Sequence, residues 1–325
     1  MKASIIGAGL IGNKRAKALK KLGIDIRFVA DTNHNSAFEL TRKYGGIPIG
    51  NFETILNENN DDFVIVSTPN QFLYPISLAL INKGNNVLIE KPGAINSEQI
   101  MSLIKAEYTN KVKVQIGYNH IFHPSFQEAL SDIESIGDIM YIDAHYGHGG
   151  AYLSSEGWRT DPSNHAGDLA DKGCHLINLS NWFLSGYFSK VQGTVKTYYW
   201  NYPVEDNSFM TLETTEGQVA HLHTSCTNWR NSFYFGIFGT KGKFEINGLG
   251  GSYGTESLTK TLLIENEIKP SVNIIEYLQE DNSWELEIEN FINGDIVHSL
   301  GCCLEYMEVI EEIYRQNRVI NDTCS

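Results

Sequence analysis

Lys2-Ala3-Ser4-Ile5-Ile6-Gly7-Ala8-Gly9-Leu10-Ile11-Gly12 begins the chain with a short apolar run, a glycine-spaced turn and the start of a helical pattern. That pattern runs from Asn13 to Leu22 and stops at Gly23; Ile24 to Ala30 then reads as a second strand, with Asp31 at its carboxyl end. In a G-x-G-x-x-G turn the first glycine makes the tight bend and the second lets the backbone approach a pyrophosphate. The third lets helix and strand pack closely, and the helix amino end faces the anion. Asp31 stands 19 residues beyond Gly12, where an acid accepts hydrogen bonds from ribose hydroxyls and repels a 2′-phosphate. Thr32-Asn33-His34-Asn35 holds no arginine for such a phosphate. The stretch therefore predicts a dinucleotide-binding βαβ unit that takes NAD in preference to NADP.

Strand and helix signals keep alternating beyond it, as a parallel sheet requires. Ile47 to Ile49 is a short strand, and 62–67 is a buried one running into Thr68-Pro69-Asn70. A helix over about 71–83 precedes the strand 86–89, which ends in Glu90-Lys91-Pro92. A helix over about 97–108 and a strand at 113–117 complete a doubly wound domain. Ligands of such sheets sit at the carboxyl ends of the strands, a rule that places Gly7, Asp31, Thr68, Asn70 and Lys91 on one rim. The proline after Lys91 stiffens its turn, which marks this lysine out from an ordinary solvated one.

After Tyr118 the texture changes. A helix over about 124–133 leads to an alternating strand, 139–148, and then to a Gly- and Ser-rich loop carrying Trp158-Arg159. Gly167-Asp168-Leu169-Ala170-Asp171-Lys172-Gly173-Cys174-His175 reads as a turn entering an amphipathic helix. Residues four apart share a helix face, so Asp171 and His175 are expected side by side, a carboxylate orienting an imidazole for proton transfer. From Val191 to Ile246, apolar and polar residues alternate between turns at Asn201-Tyr202-Pro203, Glu216-Gly217 and 239–242. This pattern predicts a mostly antiparallel sheet. A more polar segment and helices at about 283–292 and 304–317 end the chain. The expected division is 1–118 and 119–325.

Composition limits the function classes. The chain has 325 residues, 42% of them hydrophobic and 20% charged, and a formal net charge of −14. An acidic surface disfavours nucleic acid and anionic membranes, and no apolar run reaches the roughly 20 residues of a membrane span. With no secretory leader pattern at Met1-Lys2-Ala3, a cytoplasmic protein is expected. Cys174, Cys226, Cys302, Cys303 and Cys324 form no Cys-x-x-Cys, so reduced and mostly buried thiols are expected, not a disulfide framework or a zinc site.

The ordered set 7–12, Ser67-Thr68-Pro69-Asn70, Glu90-Lys91-Pro92, Gly117-Tyr118-Asn119-His120, Trp158-Arg159 and 167–178 resembles the Gfo/Idh/MocA oxidoreductase family along essentially the whole chain. The resemblance implies an amino-terminal Rossmann domain and an α+β domain with an open, largely antiparallel sheet. It also implies association as homodimers or homotetramers through that sheet. Hydride transfer would run between the nicotinamide and a secondary hydroxyl of a sugar, polyol or nucleotide-linked sugar, in either direction. Gly7, Gly9, Leu10, Ile11, Gly12, Asp31, Ser67, Thr68, Pro69, Asn70, Glu90 and Lys91 would line the cofactor. Lys91, Asp171 and His175 would be catalytic: His175 as general base, Lys91 as an ammonium beside the developing alkoxide, and Asp171 positioning either His175 or a substrate hydroxyl. Asn119, His148, Trp158 and Arg159 would join those three around the substrate. Departures lie at Ala166, where the family's glycine run is fuller, at Asn178 in place of an aspartate, and at Leu73 and Ile121.

Rival readings separate on observables. A metal site built from His120, His123, His145, His148 and His165 lacks any ligand-spacing motif. A non-catalytic dinucleotide-binding regulator predicts a damaged Lys91, Asp171 and His175 set, and all three are present. An NAD-dependent glycosidase would release sugar with no net NADH. The aromatic runs 198–200 and 233–235 are read as sheet core or subunit interface, not as a sugar platform.

Overall fold

The computed structural model describes residues 1–58, 60–150 and 157–322. Contacts divide the chain into two units, one of Met1–Asn119 with Asn282–Met307 and one of His120–Asp281 with Glu308–Ser325.

In the first unit the elements run β1 (Lys2–Ile6), α1 (Leu10–Lys21), β2 (Asp25–Ala30), α2 (His34–Tyr44), β3 (Ile47–Ile49), α3 (Glu53–Glu58), β4 (Phe63–Val66), α4 (Asn70–Asn82), β5 (Val87–Glu90), α5 (Ser97–Asn110) and β6 (Val114–Gly117). The strands form a six-stranded sheet in the order β3-β2-β1-β4-β5-β6, and every pair is parallel. Strand order reverses between β1 and β4, so the loops leaving those strands at Gly7 and Ser67 lie together at the crevice where such folds bind ligands. Strands β4, β5 and β6 are buried at every residue, which is why they read as continuous apolar runs and not as alternating ones.

The second unit holds α6 (Pro124–Ser131), β7 (Ile139–Gly147), α7 (Cys174–Leu184), β8 (Phe188–Lys196), β9 (Asn207–Thr214), β10 (Val219–Ser225), β11 (Ser232–Gly239), β12 (Gly242–Asn247), β13 (Glu256–Leu262) and β14 (Ser271–Tyr277). They make an eight-stranded sheet in the order β14-β13-β12-β11-β7-β10-β9-β8. Strand β7 is parallel to β10 and antiparallel to β11, so the sheet is mixed at its centre and antiparallel elsewhere. Its strands alternate: Ile142 and Ala144 are buried, while Tyr141, Asp143 and His145 take the opposite face. Nearly every residue of α7 is buried, including Asn178 and Ser180.

Three expectations change. The last two helices are α8 (Ser283–Asn293) and α9 (Leu300–Asp322), and Asn282–Met307 groups with the first unit, not with 119–325. The cause is apolar packing: Ile288 and Phe291 are buried with Ala3, Ile5, Leu19 and Phe63 in one cluster. The Phe291 ring meets Phe63 edge-on at 5.5 Å. Burying such a phenylalanine contributes about 1.5–3 kcal/mol. Second, the polar segment after 247 forms β13 and β14; β13 buries only Glu256 and Leu258 and β14 buries no residue, so neither shows as an apolar run. Third, the turn before α7 is π-helical over Leu169–Gly173, and the α-helix begins only at Cys174. Asp171 therefore sits in the widened turn and His175 in the first turn of the α-helix.

Candidate active site

The cradle at the start of α1 is set by backbone crowding. Gly7 has φ +98°, and a Cβ there would fall 2.5 Å from the Ser67 carbonyl oxygen; one at Gly12 would fall 2.0 Å from the Gly7 oxygen. Nothing lies within 4 Å of a Cβ at Gly9, which leaves the backbone open to a ligand. Gly9 caps α1 without a side chain, so the first-turn N–H groups suit an anion. Oxygens of the Asp31 carboxylate accept the Ala8 and Asn33 N–H groups, each at 2.7 Å. The acid thus pins the turn while its remaining lone pairs stay half-exposed. The Ser67 hydroxyl donates to the Gly7 oxygen at 2.9 Å. Thr68 and Pro69 follow as the lead-in to α4, whose first residue, Asn70, is buried. Leu10 is 73% exposed at the rim, with Ile11 half-buried beside it. These residues fit a dinucleotide pyrophosphate and ribose. A cavity of about 370 Å³ nearby is lined by Ala8, Asn13, Ser36, Glu39, Leu40, Arg42 and Lys43. The Arg42 guanidinium there pairs with Glu39 at 2.7 Å.

Lys91 is half-buried after β5. The side chain of Glu90 does not face the rim: it binds Arg15 at 2.7 Å. Asn119 is likewise engaged within the first unit, donating to the Ser283 hydroxyl at 2.8 Å.

In the second unit the π-turn stands on a buried polar base. Asp168 accepts from Lys172 and Thr224, and the Cys226 thiol lies 3.0 Å from its carboxylate. Lys172, also buried, is 3.1 Å from the Cys226 sulfur. The Glu205 carboxylate accepts the Leu169 N–H at 3.0 Å and the Tyr314 hydroxyl at 2.7 Å, and burial raises its pKa to about 7. A Cβ at Gly167 would lie 2.1 Å from that carboxylate, so a glycine is required here. Above this base Asp171 is half-buried and His175 is 6% exposed. The His175 ring lies 3.9 Å from His120, at 35°. Tyr146 meets both rings edge-on, at 6.3 Å and 5.6 Å. Burial and the adjacent Tyr253 phenol push the Tyr146 hydroxyl well above its ordinary pKa. Burial first, then Lys172, lowers that of His148, whose Nδ1 accepts the Gly150 N–H at 2.8 Å. Arg159 stacks over the Trp158 ring at 4.2 Å.

His120, Lys172, Asp168 and Glu205 complete this neighbourhood, and the sequence reading assigned none of them a role. Asp168 and Lys172 carried a signal, as an acid and a base four apart at the start of the Asp171/His175 helix pattern. His120 closed the 117–120 motif without being given a role, and Glu205 carried no signal, because only the fold brings it here. His123, from the same segment, binds Glu256 at 2.9 Å. Cys174, Cys226 and Cys303 are buried thiols outside any disulfide, Cys302 is partly buried, and Cys324 lies outside the described residues. Among the described residues no group of three or more His, Cys, Asp or Glu is placed to hold a metal ion, and no helix is long and apolar enough to cross a membrane.

Known proteins match this architecture. Residues 1–118 match the family described as "Oxidoreductase family, NAD-binding Rossmann fold" and residues 128–245 its "GFO/IDH/MocA C-terminal domain". Glucose-6-phosphate 3-dehydrogenase of Bacillus subtilis is 28% identical over 189 residues, 56% of this chain; the match spans about half (53%) of that relative's length. Inositol 2-dehydrogenase of Salmonella typhimurium is 24% identical over 76% of this chain and 74% of its own. Among solved structures, levoglucosan dehydrogenase in complex with NADH and levoglucosan superposes with a TM-score of 0.88 at 18% identity, covering 97% of this chain and 96% of that one. With both of its domains matched in order, the chain belongs to the GFO/IDH/MocA family of NAD-binding oxidoreductases.

Proposed function

We propose that this protein oxidises a secondary hydroxyl of a sugar, polyol or nucleotide-linked sugar, or runs the reverse reduction, with NAD preferred over NADP. The reading rests above all on His175, a buried imidazole packed against the tilted ring of a second one and four residues beyond the half-buried Asp171. Intact Lys91 and the glycine cradle support it, as do the sugar and polyol substrates in the relatives' names. Bound NAD supplies the hydride acceptor. The remaining work belongs to the chain. His175 takes the hydroxyl proton, Asp171 orients the imidazole or a neighbouring hydroxyl, and the Lys91 ammonium donates a charged hydrogen bond to the oxygen as it gains negative charge. His148, Trp158 and Arg159 contribute substrate contacts on the second unit. Asp31 favours NAD by accepting from the ribose hydroxyls and repelling a 2′-phosphate. We also assign the open sheet face bearing Tyr141, His145, Phe209 and His223 to association as a dimer or tetramer. A panel of sugars, polyols and sugar nucleotides, screened by NADH absorbance with NAD and NADP in parallel, tests the reading. It predicts NADH formation with at least one member. A flat response from NAD-loaded protein would favour a regulator, and sugar release without net NADH would favour a glycosidase.

A further inference from the structure

Arg15 has no accessible surface, although it is an arginine on the packed side of α1 with Gly12, Ala16 and Leu19. Two carboxylates hold its guanidinium. Nε donates to Glu90 Oε1 at 2.7 Å, Nη2 lies 2.6 Å from the same oxygen, and Nη1 lies 2.5 Å from Glu287 Oε2. The Trp284 ring covers the guanidinium at 4.6 Å, and a Cβ at Gly117 would fall 2.6 Å from Nη2. Glu287 and Trp284 both come from the returning segment in α8. Buried ion groups are poor packing, since apolar residues of similar volume stabilise at least as well. Direction is what a guanidinium adds, because its rigid fork fixes two carboxylates at once.

What is fixed is the turn that carries Lys91. The Gly93 N–H donates to the Glu90 oxygen at 3.0 Å, and the Cys303 thiol donates to the Pro92 oxygen at 3.1 Å. The backbone of the turn is thus held by Gly93 and Cys303, and its side-chain anchor is Arg15 on Glu90. Arg15 shares α1 with the helix amino end that forms the anion cradle. We propose that Arg15 is a positioning residue: through Glu90 it holds the Lys91 ammonium in register with a dinucleotide seated at the start of α1, and Glu287 completes the anchor. This inference rests on the reading of Lys91 as a catalytic residue.

The test is a double-mutant cycle on the NAD-linked sugar reaction, with Arg15→Met, Lys91→Met and their combination. Arg15→Met is expected to lower kcat at least tenfold while calorimetric NAD affinity changes less than threefold. The combination should be no slower than Lys91→Met alone. In the cofactor-free protein, reductive methylation should modify Lys91 at least threefold faster in Arg15→Met, with other lysines unchanged. Arg15→Lys should not rescue, since an ammonium cannot bridge both acids, whereas Glu287→Gln, which keeps an acceptor, should stay near wild type. Because Arg15→Met strands buried carboxylates, the neutral triple Arg15→Met/Glu90→Gln/Glu287→Leu is the second variant, expected to fold with the same loss of kcat. Multiplicative losses in the cycle, or wild-type kcat in the triple, would overturn the proposal. If Lys91→Met is fully active, the catalytic reading of Lys91 fails and the inference falls with it. If Lys91→Met is inactive and Arg15→Met is not, the inference fails alone.

Discussion

At the scale of single residues, the site is held by side chains whose partners lie far away in sequence. His120 shows the consequence most directly. Its ring packs against His175 with centroids 3.9 Å apart and a 35° tilt, a contact that restricts the rotation of that imidazole. Small misplacements of a reacting group cost up to about 10²-fold in rate. We expect His120→Ala to lower kcat about tenfold with little change in NAD affinity, and His120→Phe, which keeps a flat face, to retain most of it. Steady-state kinetics alongside calorimetry check this; equal losses in both variants would show that the ring face is not what matters. Legibility at this scale was uneven. Gly7 and Gly12 could be read because one local turn leaves no room for a side chain at either, and the Asp31 carboxylate is tied to that same turn through the Ala8 N–H. For Glu90 and Asn119 the motif places the residue, but only the fold shows that Arg15 and Ser283 claim the side chains.

Elements were legible where their period was clean. The buried strands β4 to β6 and the alternating β7 to β12 announced themselves, whereas β13 and β14 bury too few side chains to leave a pattern. The π-turn over Leu169–Gly173 was invisible for another reason: no local preference encodes it, and its start is tied from outside by Glu205. Burial raises the Glu205 pKa from 4.5 to about 7, so the folded state favours the protonated acid. Its contribution to stability is complete below about pH 4.5 and is lost as pH rises through 7, because ionising it then opposes folding. Glu205→Gln keeps an acceptor for Leu169 and Tyr314 but cannot ionise. Unfolding in denaturant should therefore show the variant gaining on wild type between pH 5 and pH 8, by on the order of 1–3 kcal/mol. An identical pH slope in the two proteins would mean that Glu205 is not the ionising group.

For the molecule as a whole, the fold class followed from order alone: strand–helix alternation, then a sheet. The return of Asn282–Met307 to the first unit did not, since an amphipathic helix does not state which core it will join. Exposed aromatic surface remains on the second sheet, with Tyr141 41% and Phe209 36% accessible, on strands whose cross-strand partners include the stacked pairs Tyr141–Phe238 and Phe209–His223. If that face joins copies of the chain, Tyr141→Glu with Phe209→Glu should reduce the mass seen by light scattering to that of one chain, 36.5 kDa; an unchanged oligomer would place the contact elsewhere. The proposed chemistry depends on His175 as the proton acceptor. It is tested most directly by kcat and its pH dependence in His175→Ala, measured on whichever sugar reduces NAD. Removing an acid–base group costs about 10²–10⁴-fold. A loss in that range is expected in His175→Ala, with the acid-side limb of the profile gone and NAD affinity unchanged. Near wild-type kcat with the wild-type pH profile would contradict it and pass the role to another group, Lys91 first.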